Sequence, residues 1–206
     1  MTPEKRTRLG VLASGSGTNL EAIAQAIDDG DVPATVALVL SDNPDAFALE
    51  RARRRGIETR VINLRDYEDR PAYDRAIVGA LEKAGVDLVV LAGYMKLVGP
   101  GFVDAFSGRI MNIHPALLPS FPGEQGVKDA LEHGVKVSGV TVHFVDKGLD
   151  TGPIIVQEAV PVEEDDDVET LHNRIHLAEY RAYPLAIRLF AQGRLLIEGR
   201  RVRVLP

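Results

Sequence analysis

An amide and an imidazole stand two residues apart on an apolar run, Asn112 and His114 within Ile110-Met111-Asn112-Ile113-His114-Pro115. Side chains two apart on a strand face the same way, so both would reach one site. Pro115 removes a backbone donor and ends the ladder, which puts His114 at the strand's carboxyl end. Open α/β sheets hold their ligands there. A neutral donor beside a titratable one can hold an oxygen as it gains negative charge. Asp150, in the loop Asp146 to Gly152, is placed to orient the ring and stabilise its protonated form. On this reading Asn112 and His114 bind the oxyanion of a tetrahedral intermediate. Asp150, or a water it holds, takes the proton of the incoming nucleophile. The reading requires a His114 ring open to solvent and close to the Asp150 carboxyl. Gly-x-Ser-x-Gly occurs nowhere, which favours direct attack by a substrate nucleophile over an acyl-enzyme.

The elements that must position these groups are legible from the start. Leu9 to Ala13 reads as a buried strand running into Ser14-Gly15-Ser16-Gly17-Thr18-Asn19-Leu20-Glu21. Thr18 with Glu21 has the spacing of a capping box, and Leu20, Ile23, Ala24 and Ile27 repeat at helical spacing. A strand, a glycine turn and a capped helix form a cradle whose free N–H groups suit a phosphate. A tight turn that simply needs glycine is the plainer reading. The loop is neither a Walker A motif nor a full dinucleotide fingerprint, since Leu20 occupies the third glycine position. Thr35 to Leu40 gives a second strand ending at Ser41-Asp42, where an acid could hold a ribose hydroxyl in a nicotinamide enzyme.

Further on, the run Glu50 to Arg55 is the solvated end of a helix stopped by Gly56. Thr59 to Ile62 is a third strand. Pro71 opens a helix with the stripe Tyr73, Ile77, Leu81 and Ala84. Leu88 to Ala92 is a fourth strand, followed by Gly93-Tyr94-Met95-Lys96. This alternation predicts an α/β, Rossmann-like, mostly parallel twisted sheet flanked by helices. After the Asn112/His114 strand come a turn at Phe121-Pro122-Gly123 and a short helix, Val127 to His133. Val137 to Val145 alternates as a half-exposed strand does, with His143 on the solvent side. Ile154 to Val160 adds an antiparallel strand. The acidic run Glu163 to Asp167 is a solvated loop before a long C-terminal helix, about Val168 to Gln192. Leu195 to Ile197 and Val202 to Val204 read as a closing hairpin.

Composition excludes several classes. The 206 residues carry a formal charge of -6, which argues against a general nucleic-acid binder. There is no cysteine, so thiolate and disulfide chemistry are out. No apolar run reaches membrane-spanning length, and Met1 to Arg8 is polar with no signal-peptide core, so a cytoplasmic location is expected. His172 and His176 stand four apart near Glu169 and Glu179, but no His-Glu-x-x-His pattern occurs, and no metal is expected. His133 is read as a favourable charge at a helix end.

Four co-linear segments then carry a resemblance: Ser14-Gly-Ser-Gly-Thr-Asn-Leu20, Leu91-Ala-Gly-Tyr-Met95, Asn112-Ile-His-Pro115 with Leu117-Leu-Pro119, and Leu149-Asp-Thr-Gly-Pro153. Together they resemble the phosphoribosylglycinamide formyltransferases, purine-pathway enzymes that use 10-formyltetrahydrofolate. The resemblance implies a formyltransferase fold with one domain over 1–206. Its first half, 1–110, holds the ribonucleotide phosphate; its second, 111–206, carries the catalytic and folate chemistry. It implies Asn112, His114 and Asp150 as the catalytic trio, and Gly17, Thr18 and Asn19 at the phosphate. It implies Glu179 at the ribose. Arg70, Met95, Lys96, Leu97 and Val98 fall on the folate side, together with Asn112 and the loop Asp146, Lys147, Gly148, Leu149. Partners would be the two small-molecule substrates, without nucleic acid or membrane, in a monomer or homodimer.

Two positions depart from the family pattern. Gln125 stands where many members carry a histidine, and Tyr180 follows Glu179 where members often show Glu-His. Gln125 can hydrogen-bond but cannot titrate. The rival readings are a formyltetrahydrofolate hydrolase, which carries an extra domain ahead, and methionyl-tRNA formyltransferase, which carries one after. A nicotinamide-dependent reductase is more remote, as is a non-catalytic nucleotide-binding module, and both leave the trio without a task.

Overall fold

Strand and helix alternate from Thr7 to Phe144 within residues 6–206, the part of the chain described by the computed structural model. Residues 1–5, most of the polar start noted above, lie outside it. The chain packs as two compact units, Met1–Met111 and Asn112–Pro206.

In the first unit, β1 (Thr7–Leu12), α1 (Thr18–Asp28), β2 (Ala34–Ser41), α2 (Phe47–Arg54), β3 (Thr59–Val61), α3 (Arg70–Lys83), β4 (Leu88–Leu91) and α4 (Pro100–Ala105) follow in order. The strands lie β3-β2-β1-β4, and each pair is parallel. Consecutive residues Val11, Leu12 and Ala13 are all buried, as are Val89, Val90 and Leu91. Continuous apolar strands of this kind belong to a sheet covered on both faces. α3 starts where Asp69 accepts a hydrogen bond from the Ala72 N–H, with Pro71 in its first turn.

The second unit opens within β5 (Ile110–His114) and continues through α5 (Gly126–Glu132), β6 (Val137–Phe144), β7 (Ile154–Pro161), α6 (Val168–Ala191), β8 (Leu195–Glu198) and β9 (Arg201–Val204). Its strands lie β5-β6-β7-β9-β8. β6 and β7 are antiparallel, β7 and β9 parallel, and β8 and β9 form the closing hairpin. α6 packs on β6 and β7 through Leu171, Ile175, Ala178, Ala182, Ala186 and Ile187. Asp167 caps it in a reciprocal box with Thr170, and Asp166 chelates Arg174. The acidic run is therefore a helix start as much as a solvated loop. Across the chain the strands are mostly parallel and flanked by helices, with an antiparallel addition and a long C-terminal helix, the expected fold class. No described helix is long and apolar enough to cross a membrane.

Three local expectations are corrected. α1 is not capped by Thr18 and Glu21: Gly17, in the left-handed region at φ 73, takes the N-cap position, with no side-chain cap. Glu21 instead binds Arg55 and Arg51. A Cβ at Gly17 would lie 2.7 Å from Ala48, so glycine is needed there for both conformation and space. Second, β6 is not half-exposed; Ser138 through Phe144 are all buried. Two of its polar members are bonded internally: Thr141 donates to the Ala116 carbonyl and accepts from the Leu118 N–H, and His143 bonds the Phe144 carbonyl. Third, Asp42 is engaged within the protein. One carboxylate oxygen accepts from Ser14 Oγ at 2.6 Å and the other lies 3.9 Å from Lys96 Nζ. α4 has no counterpart in the sequence reading.

Candidate active site

The second unit brings Asn112, His114 and Asp150 together. β5 delivers the first two, and the loop after β6 delivers the third. That loop is closed by Asp146, whose carboxylate accepts from the Gly148 N–H at 2.9 Å and the Thr151 hydroxyl at 2.7 Å. At Gly152 the backbone approaches so closely that a Cβ would lie 1.8 Å from the Phe144 carbonyl oxygen. Between these points Asp150 is held in the left-handed region at φ 53, which Asp tolerates better than most residues. Its Oδ2 accepts from the Gly123 N–H at 2.8 Å and lies 3.5 Å from His114 Nδ1.

A fourth group, His143, was placed facing solvent and is instead 2% exposed. Its Nδ1–H donates to the Phe144 carbonyl at 2.8 Å. In the neutral ring Nε2 then accepts from Asn112 Nδ2 at 3.4 Å, and it stands 3.7 Å from Asp150 Oδ1. His143 thus stands between the amide and the carboxylate. The alternation of Val140, Val142 and Phe144 with Thr141 and His143 carries no signal of this, because it does not say what covers the polar face.

The expectation for His114 holds in distance and fails in exposure. The ring is 4% exposed, covered by the segment from Phe121 to Gly126. Its Nε2–H donates to the Phe121 carbonyl at 2.7 Å, because a carbonyl can only accept. Nδ1 of the neutral ring therefore carries a lone pair, and it points toward Asp150. Burial pushes the His114 imidazole below its ordinary value, although Asp150 and the Phe121 carbonyl pull it up. Burial works against the Asp150 charge, but the His143, Gly123 and His114 contacts outweigh it, and this carboxyl sits below the usual carboxylate range. At neutral pH the pair is a neutral ring facing a carboxylate, two acceptors with room for one proton. Such a pair is built to receive one from a nucleophile.

Two expected outcomes follow from this geometry. The acid limb of kcat/KM against pH should lie below 6.5, because His114 must be deprotonated to accept and its affinity for a proton is depressed; a limb above that value contradicts the assignment. Gly126→Ala should lower kcat about tenfold or more with the fold retained. Its Cβ would meet the Phe121 oxygen at 3.0 Å and His114 Nε2 at 3.1 Å, displacing the ring. Steady-state rates checked against the circular dichroism of the variant decide the point.

The remaining candidates stand as follows. Gly17, Thr18 and Asn19 open α1 in the first unit, where the Gly15 and Ser16 backbone is exposed and Asn19 is buried. Arg70 stacks over Tyr73 and donates from Nε to Asp74 at 3.0 Å, while its Nη2 is buried with no hydrogen-bond partner. Met95 and Leu97 are exposed apolar side chains on the segment 95–98, as Leu149 is on the loop 146–149. Lys147 and Gly148 are exposed as well. Glu179 is buried on α6 and accepts from His176 Nδ1 at 2.9 Å. Gln125 is exposed as the N-cap of α5, with no side-chain bond there. His133 ends α5 and bonds the Asp129 carbonyl at 2.9 Å.

The formyl transferase family pattern matches residues 7–187. The chain belongs to the formyl transferase family. It is 44% identical over 181 residues to the phosphoribosylglycinamide formyltransferase of Bacillus subtilis, covering 88% of this chain and 93% of that one. It is 46% identical over 199 residues to the trifunctional purine biosynthetic protein adenosine-3 of Drosophila melanogaster, covering 96% of this chain. It spans only 15% of that relative's length. Among solved structures, the glycinamide ribonucleotide transformylase 1 of Symbiobacterium toebii superposes with a TM-score of 0.96 at 57% identity, covering 98% of this chain and 95% of the other. Formyl transferase membership thus spans the strand bearing Asn112 and His114, the Asp150 loop and most of α6.

Proposed function

We propose that this chain transfers the formyl group of 10-formyltetrahydrofolate to the amine of phosphoribosylglycinamide, as one formyltransferase domain over 1–206. The observation that carries this reading is the cluster of Asn112, His114, His143 and Asp150, with both rings buried and Asn112 and Asp150 half-buried, which has a proton acceptor and an amide donor but no protein nucleophile. The glycinamide amine attacks the formyl carbon, and its nitrogen becomes positive as the carbonyl oxygen becomes an oxyanion. The His114/Asp150 pair takes the surplus proton and becomes an imidazolium beside a carboxylate. Asn112 keeps a second N–H on Nδ2 for the oxyanion. His114 adds the field of its new charge, and direct donation by Nε2 requires it to exchange the Phe121 carbonyl for substrate oxygen. Collapse of the intermediate expels the folate nitrogen, which takes the proton back from the His114/Asp150 pair as tetrahydrofolate leaves and restores the neutral ring.

Supporting roles follow the family resemblance. Gly17, Thr18 and Asn19 hold the phosphate by backbone N–H groups and the α1 dipole. Glu179 accepts from ribose hydroxyls. Arg70, Met95 to Val98, Asn112 and the loop 146–149 serve the folate, whose flat ring suits exposed Met95, Leu97 and Leu149. Asp146 does so through the loop it closes, since its carboxylate is already engaged. A cytoplasmic setting and a monomer or homodimer fit this role. The test is incubation of the purified chain with both substrates, followed by mass spectrometry. The formylated ribonucleotide is the expected product; its absence overturns the reading.

A further inference from the structure

Glu179 is a carboxylate taken out of water in the middle of a long helix, and such a group needs donors held in place. Its own helix supplies one: His176 Nδ1 lies 2.9 Å from Glu179 Oε2, three residues back. The His176 ring is in turn held from both sides. His172 stacks on it at 4.2 Å and 27°, and Tyr180 lies parallel at 6.0 Å and 2°. Residues 172, 176 and 180 follow each other at four-residue spacing, so the three rings form a ladder along one helix face. A stacked ring loses freedom about its side-chain torsions, and the hydrogen bond it makes is correspondingly well aimed.

We propose that His176 is a positioning residue for Glu179, setting the direction in which that carboxylate meets the hydroxyls of the acceptor substrate, with His172 and Tyr180 bracing the ring. This rests on the functional reading above, which gives Glu179 to the ribose. Proton affinities agree with the arrangement. The Glu179 hydrogen bond raises His176 above its ordinary value, whereas burial, with His176 next door, lowers His172. The pattern of two histidines four apart, which first suggests a metal face, is explained here by ring stacking and a carboxylate.

The test measures KM for the ribonucleotide and kcat separately in four proteins: wild type, His176→Ala, His176→Asn and Glu179→Ala, with the His176→Ala/Glu179→Ala double variant completing a cycle. His176→Ala should raise KM about tenfold, the scale of one hydrogen bond to a charged group, with kcat within about twofold. His176→Asn puts an amide N–H where Nδ1 stands and should recover most of the loss. In the Glu179→Ala background, removing His176 should add nothing further. An unchanged KM in His176→Ala, an Asn variant as poor as Ala, or a penalty that survives without Glu179 overturns the proposal. Failure of the functional reading shows separately, as absence of formylated product from the wild-type chain, and the proposal then falls with it.

Discussion

Asp150→Asn is expected to lower kcat about a thousandfold while ribonucleotide affinity changes by less than about threefold. The substitution is isosteric, and Asn tolerates the left-handed backbone at this position as well as Asp does. The Asn oxygen can still accept from the Gly123 N–H, so the loop keeps its anchor. What disappears is the charge that faces His114 Nδ1 and His143 Nε2. Without it a proton added to His114 faces only a neutral amide oxygen, and burial already disfavours the charged ring. The amine proton then has no charge-stabilised acceptor in the cluster. Steady-state kinetics with calorimetric binding of the ribonucleotide separates this from a loss of affinity. A variant that keeps more than about a tenth of the rate would move proton acceptance elsewhere.

His114→Ala is expected to cost at least about a hundredfold in kcat, the scale of losing one electrostatic stabiliser of the oxyanion. It also removes the donor that satisfies the Phe121 carbonyl, so part of the loss could reflect a displaced 121–126 segment. His114→Gln separates the two causes. Its amide N–H reaches the Phe121 carbonyl from about the Nε2 position and keeps the segment in place, but it offers no base toward Asp150. A comparable loss in both variants assigns the effect to proton chemistry. Near-normal turnover in the Gln variant would reduce His114 to a prop for the loop.

The parts of this architecture visible in the amino-acid sequence were those set by local rules. Val11 to Ala13 and Leu88 to Leu91 announce themselves as buried strands because a doubly covered sheet leaves no polar face to alternate. Asn112, His114 and Asp150 could be picked out because strand spacing and a terminating proline are local facts. Two failures were tertiary in origin. His143 looked solvent-facing because alternation says nothing of what covers the polar face, and here that face meets Asn112 and Asp150. The occlusion of His114 depends on how the chain from Phe121 to Gly126 folds back, which no periodicity encodes. The cap of α1 failed for a different reason. Gly17 took the position by its left-handed backbone, and Glu21 was drawn to Arg55 from another helix. The role of Asp42 was likewise decided by a partner distant in sequence, Ser14.

The most direct measurement of the central claim follows folate absorbance as the purified chain consumes 10-formyltetrahydrofolate, with and without phosphoribosylglycinamide. If His114 and Asp150 take the proton of an attacking amine, tetrahydrofolate should appear one-for-one with formylated ribonucleotide. Omitting the acceptor should slow its release by about a hundredfold or more. Equal release in both conditions would contradict the account, because the group attacking the formyl carbon would then be water.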